Sequence, residues 1–154
     1  ILLSGRGSNF EAILRASRAE NWEAAGLRIA AVVSNRPDAK GLATARAEGL
    51  ETVALDHKAF ATREAFDEEL ARRIAVYDPA VIVLAGFMRI LTPGFVSRWE
   101  GRILNIHPAL LLPYEHCVSP KCVRAVAEGR VRLENGRAVM DDAMARELAV
   151  FYAD

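Results

Sequence analysis

The sequence predicts an α/β fold, a mostly parallel sheet with helices on both faces. Apolar runs of strand length alternate with stretches of helical period, the pattern left by strands joined through crossover helices. Two of the runs, residues 27–34 and 80–85, are continuously apolar apart from Arg28 and the closing Ser34 of the first, as strands covered on both faces are. The 154 residues are 52% hydrophobic, enough for one sizeable core, so residues 1–154 are expected to form a single domain.

Each element has its own signal. Residues 1–3 read as the tail of a strand whose beginning is absent, so the natural chain is expected to start earlier. Residues 9–19 repeat Phe10, Ile13 and Leu14 on one helical face. Residues 27–34 form the second strand, 40–48 a helix ending at Gly49, and 51–55 the third strand. Residues 63–77 carry Phe66, Leu70 and Ile74 at helical spacing and stop before Pro79. Residues 80–85 and 102–106 are the next strands. Beyond Pro108 a proline-bearing loop leads to a helix over 119–128. Asn135-Gly136, between two short apolar runs over 131–139, signals a hairpin. Residues 141–152, with Met144, Leu148 and Phe151 on one side, form a closing helix. No repeat, low-complexity segment or interdomain linker interrupts this order.

Charge and cysteine content narrow the function classes. Twenty basic residues balance twenty acidic ones, so no net field draws the chain to nucleic acid or anionic lipid. A small-molecule partner is expected instead. Cys117 and Cys122 are too widely spaced for a C-x-x-C pair and too few for a disulfide framework, which reads as reduced thiols in a cytoplasmic protein. No stretch reaches the ~20 apolar residues of a membrane span, and no signal peptide opens the chain.

Chemistry concentrates in three stretches. Ser4-Gly5-Arg6-Gly7-Ser8-Asn9 joins the first strand to the first helix, where backbone N–H groups can cradle a phosphate. Phe10 stands where a dinucleotide fingerprint needs its third glycine, and Ser34-Asn35 ends the second strand without a ribose-binding acid, so a terminal phosphate fits better than a dinucleotide. A tight turn that merely starts a helix well explains the loop equally. The second stretch is Asn105-Ile106-His107-Pro108 at the carboxyl end of a strand, where alternation puts Asn105 and His107 on one side. An amide and an imidazole together can hold a carbonyl oxygen, stabilise its oxyanion and move a proton, which suits acyl transfer to an amine; a structural histidine is the rival reading. The third, residues 84–93, sets small, aromatic and flexible side chains around Arg89, a wall for a flat heterocycle whose carboxylate the arginine takes. On its residues alone, this stretch is better read as a core strand and a buried turn.

In order and spacing these stretches resemble the glycinamide ribonucleotide formyltransferase family, and Ser34-Asn35 followed by Ala39, Gly41 and Leu42 adds a fourth match. The resemblance spans residues 1–114. It implies a Rossmann-like formyltransferase fold and transfer of the formyl group of 10-formyltetrahydrofolate, a cosubstrate, to the amine of 5-phosphoribosylglycinamide in purine biosynthesis. By resemblance Gly7, Ser8 and Asn9 bind the substrate phosphate. Arg63, Met88, Arg89, Ile90 and Leu91, with Asn105, bind folate. Asn105 and protonated His107 stabilise the tetrahedral oxyanion as the amine attacks directly, and no metal is implied. Glu115-His116 resembles a family Glu-His pair whose glutamate binds ribose hydroxyls. The expected protein is a cytoplasmic monomer or homodimer whose partners are these small molecules, not nucleic acid or membrane.

One departure is large. Family members carry about sixty residues between the proline-leucine loop and the Glu-His pair, including the aspartate that partners the catalytic histidine, whereas here Tyr114 runs straight into Glu115. No Asp or Glu lies between Pro108 and Glu115 to raise the imidazole pKa. A segment absent between Tyr114 and Glu115 is therefore expected. Ser119 also stands where the family more often has tyrosine. Two other functions share the core: a formyltetrahydrofolate hydrolase, in which water takes the formyl group, and a non-catalytic nucleotide-binding module. Transfer to methionyl-tRNA is disfavoured by the neutral charge and the lack of a basic C-terminal domain.

Overall fold

The structure, a computed structural model, describes residues 1–106, 115–134 and 137–143. The elements in chain order are β1 (Leu2–Leu3), α1 (Ser8–Ala19), β2 (Val32–Ser34), α2 (Lys40–Ala47), β3 (Thr52–Ala54), α3 (Arg63–Ala75), β4 (Ile82–Ala85), α4 (Pro93–Arg98), β5 (Ile103–Ile106), α5 (Glu115–Ala127), β6 (Val131–Glu134) and β7 (Arg137–Met140). Single 3₁₀ turns occupy Trp22–Ala25 and His57–Ala59.

Five strands form one parallel sheet in the order β3-β2-β1-β4-β5, and β6 pairs antiparallel with β7. The chain winds outward from β1 to β3, then returns to the other side of β1 with β4. That reversal makes a switch point between β1 and β4, where open sheets of this kind place a ligand crevice.

The period of two along each strand divides the core. Leu2, Val33, Ile82 and Leu84 face Phe66, Leu70 and Ile74 of α3 and Phe95 and Trp99 from α4 and its end. Leu3 and Val32 face Phe10 and Leu14 of α1 and Leu42 and Ala45 of α2. Val83, Ala85 and Ile106 face Ile13 of α1 and Val123 of α5. Helices thus cover both faces. Thr62 caps α3, its Oγ1 accepting from the Ala65 N–H at 3.1 Å. The buried Asp67 carboxylate accepts the Thr92 N–H at 2.6 Å, and the Thr92 hydroxyl accepts from Phe95 N–H at 3.3 Å, so α3 fixes the start of α4.

Several bounds differ from the sequence reading. The apolar run 27–34 enters the ladder only at Val32, opposite Thr52; before it, Ala31 O accepts from the Ile1 amino group at 2.9 Å and Leu27 N–H donates to Trp22 O at 3.0 Å. α5 begins at Glu115, four residues before Ser119, and carries Pro120 within it. Ser-Pro is a helix-start signal, but here it lies one turn inside. α4 has no counterpart in the sequence reading; Thr92 as cap and Pro93 in the first turn are what begin it. The hairpin forms with Glu134 opposite Arg137; Asn135 and Gly136 themselves, and the closing helix from Met144 on, lie outside the described residues. No helix among the described residues is long and apolar enough to cross a membrane.

The end of α1 is tied to α5 through a carboxylate. Glu20 Oε2 accepts from Trp22 Nε1–H at 3.0 Å and from the Arg124 guanidinium at 2.8 Å, and these two donors, Trp22 first, hold its pKa below the ordinary carboxylate value. A depressed folded-state pKa contributes stability that is present in full above the ordinary value of 4.5 and is lost as pH falls from there through the lower folded-state value. Denaturant unfolding at pH 7 and pH 4 is therefore expected to show a smaller acid loss in Glu20→Gln than in the wild type; equal losses would remove Glu20 from the acid limb.

Candidate active site

The loops that leave the carboxyl ends of β1 to β4 surround a cleft of about 520 Å³ at the switch point. Its lining includes the glycine loop from Ser4 to Asn9, Asn35 and Arg36 after β2, His57 after β3, and Gly86, Met88 and Arg89 after β4. Among the described residues three arginines and no carboxylate line it, although the whole chain is neutral. Arg36 is paired with Asp38 at 3.0 Å, so Arg6 and Arg89 carry the local field that favours an anion.

The glycine loop is built by close backbone packing. Gly7 caps α1 at φ 85°, left-handed geometry that glycine adopts without a Cβ clash. An added Cβ there would stand 2.9 Å from Gly41 Cα, and one on Gly41 would stand 2.7 Å from the Leu3 side chain. Gly41 N–H donates to Gly5 O at 3.1 Å, joining the loop to the start of α2. The Gly7 carbonyl accepts the Glu11 N–H at 2.9 Å, so the helical ladder begins there and the first turn points its N–H groups toward the cleft end of α1. The partial positive charge of a helix N-terminus makes this turn an anion cradle.

Asn35 and His57 carry no role in the sequence reading, yet both line this cleft. His57 Nδ1 lies 2.8 Å from Asn35 O. A carbonyl only accepts, so Nδ1 carries the hydrogen, and the 3.3 Å approach of Asn35 Nδ2 to the same nitrogen sets two donors face to face. The signal for Asn35 was its place, a polar residue ending an apolar strand at the sheet's carboxyl edge. Nothing in the local pattern marks His57. Arg6, exposed in the middle of the glycine loop, also lines the cleft without an assigned role.

The 86–91 segment forms the opposite wall. Met88 and Ile90 are 83% and 77% exposed, Leu91 packs on the core, and the Arg89 guanidinium lies 4.8 Å from the Phe66 ring centre. Arg89 Nε is buried and meets no acceptor among the described residues. A buried charged donor is costly without an acceptor, which calls for one beyond the described residues. Arg63 is exposed at the start of α3.

Asn105 pairs with Leu84 in the β4–β5 ladder, and its side chain is exposed, on the face opposite the buried Ile106. Of the residues singled out by sequence, the structure gathers Gly7, Ser8, Asn9, Met88 and Arg89 around one cleft; Arg63, Ile90, Leu91 and Asn105 are not among its lining. Glu115 opens α5. His107 lies outside the described residues. Among the described residues no three His, Cys, Asp or Glu side chains gather as for a metal ion.

Over 114 residues the chain is 50% identical to the phosphoribosylglycinamide formyltransferase of Escherichia coli strain K12, covering 74% of this chain and 52% of that protein. It is 34% identical over 111 residues to the Bacillus subtilis protein of the same name, covering 72% of this chain and 55% of that one. The chain therefore spans about half the length of these curated relatives. In structure it is similar to the phosphoribosylglycinamide formyltransferase of Coxiella burnetii, with a TM-score of 0.81 at 30% identity over 91% of each chain. The formyl transferase family model matches residues 1–140, and the chain belongs to that family.

Proposed function

We propose that this protein transfers the formyl group of 10-formyltetrahydrofolate to the amine of 5-phosphoribosylglycinamide, a step of purine biosynthesis, in the cytoplasm and as a monomer or homodimer. The observation that carries the reading is the cleft at the switch point. It joins an anion cradle on one side to an exposed apolar wall on the other, where the buried Arg89 Nε meets no acceptor among the described residues. A phosphate at one end and a flat, carboxylate-bearing folate at the other match those two halves. The names of the relatives point the same way.

In this reading Gly7, Ser8 and Asn9 hold the phosphate, Glu115 takes ribose hydroxyls, and Met88, Arg89, Ile90, Leu91, Arg63 and Asn105 bind the folate. The amine nitrogen attacks the formyl carbon, forming a new C–N bond and a tetrahedral oxyanion. Asn105 and protonated His107 donate to that oxyanion. The bond from the formyl carbon to the folate N10 then breaks, and the proton released by the attacking nitrogen passes to N10, so tetrahydrofolate leaves neutral at that atom. Residues 108–114 offer no carboxylate to keep His107 protonated, so a partner for it comes from elsewhere in the natural polypeptide.

The test follows release of tetrahydrofolate from 10-formyltetrahydrofolate with and without 5-phosphoribosylglycinamide, using protein made from its natural coding sequence. Release is expected only with the amine present. Release without it would make the protein a hydrolase, and tight binding of both compounds without turnover would make it a binding module.

A further inference from the structure

The glycine loop and the wall after β4 meet at one side chain. Ser4 is 4% exposed, and its backbone N–H donates to Gly86 O at 3.1 Å. Its hydroxyl accepts from Met88 N–H at 2.8 Å and donates to Asn35 Oδ1 at 2.5 Å. Oδ1 can only accept and a backbone N–H can only donate, so both roles of the hydroxyl are fixed. Asn35, also 4% exposed, receives the His57 imidazole on its carbonyl. The loops after β1, β2, β3 and β4 thus lie on one chain of hydrogen bonds, with Ser4 at the junction. Gly86, at φ 74°, makes the turn that brings the Met88 N–H back toward β1. The exposed Met88 side chain contributes little packing of its own. The wall is held by Ser4 near its start, by Arg89 against Phe66, and by Asp67 on Thr92 just past its end.

We propose that Ser4 is a positioning residue that couples the two ligand subsites, its hydroxyl holding the glycine loop and the 86–91 wall in one register. The proposal rests on the substrate reading above. A phosphate-bearing ligand that orders the glycine loop also orders, through Ser4, the backbone from which Met88 and Arg89 project. The second ligand then meets a wall already ordered and binds more tightly, and the reverse holds by reciprocity.

The test compares the full-length wild type with Ser4→Cys, which keeps the size of the side chain but exchanges the hydroxyl for a weak hydrogen-bonding thiol. Ser4→Ala serves as a second variant where both remain folded. Calorimetric titration uses 5-phosphoribosylglycinamide and 5,8-dideazafolate, which has no formyl group to transfer, each alone and with the other present. In the wild type each ligand is expected to tighten the other by about fivefold or more, and in Ser4→Cys by less than about twofold. Amide hydrogen exchange at Met88 reads the positioning without any ligand, and is expected to quicken about tenfold in Ser4→Cys while the β4 amides keep their protection. Unchanged Met88 exchange, or mutual tightening that survives the substitution, overturns the role of Ser4 while leaving the substrate reading intact. Binding of neither ligand to the wild type overturns the substrate reading, and the coupling with it.

Discussion

Asn105→Ala is expected to slow formyl transfer by about 10²–10³-fold, the loss typical when one donor to a developing oxyanion is removed. His107→Ala is expected to lose about 10²–10⁴-fold, because in the proposed mechanism the imidazole holds the same oxyanion and can also move a proton. On that mechanism the two losses should not add, since both residues act on one intermediate. For Asn105 the loss is chemical, not structural. Its side chain is exposed at the carboxyl end of β5, and its backbone is held by pairing with Leu84 and by the burial of Ile106 next to it. An exposed substitution of this kind changes stability by no more than about 0.5 kcal/mol. Steady-state rates beside denaturation curves separate the two effects. Turnover of Asn105→Ala within threefold of the wild type would remove this residue from the chemistry.

Gly7→Ala is expected to cost stability and ligand binding together. Left-handed backbone costs a residue with a Cβ about 1–2 kcal/mol, and Gly7 sits at φ 85°. The new Cβ would also press to 2.9 Å from Gly41 Cα, a backbone atom that can yield only by moving the start of α2. Overpacking of that sort costs about 1–3 kcal/mol. The sum, about 2–5 kcal/mol, is a large fraction of a domain stability of about 5–15 kcal/mol. Relief by shifting the loop would misdirect the first-turn N–H groups, so affinity for inorganic phosphate, measured by calorimetry, should fall with the denaturation midpoint. A variant that keeps both would mean that the loop accommodates a side chain, against the geometry.

The fold was legible where a single physical pattern acts over many residues. Continuous apolar runs marked β2 and β4, and the spacing of Phe66, Leu70 and Ile74 marked α3, because burial against a sheet imposes those periods directly. Pattern failed where pairing or short-range geometry decides. Residues 27–31, apolar apart from Arg28, stand outside the ladder, and α4 is too short, with Pro93 and Gly94 in its first turn, for a periodic signal. At the site, Gly7 and Asn105 could be singled out because they lie on a turn and a strand end. Ser4, Asn35 and His57 come together from three separate loops, and no local spacing records a hydrogen bond between residues 31 apart. Arg89 was readable as an arginine beside an apolar strand; that its Nε is buried without an acceptor could come only from the packing around Phe66.

The contact between Gly7 and Gly41 has a consequence for how this sequence can drift. It is main chain against main chain, with Leu3 wedged behind one partner. A crowded side chain can be accommodated by trimming a neighbour, but Gly7 has no neighbour to trim, because its nearest obstacle is the Gly41 Cα. Gly41 differs: its nearest obstacle is the Leu3 side chain, which a smaller residue at position 3 would relieve, with the Gly7 Cα at 3.3 Å left to give by a few tenths of an ångström. Of these two positions, 34 residues apart in the chain, Gly7 is therefore the one that no change of side chain elsewhere can release, and variation in the family should flow around it through the solvent face of α2.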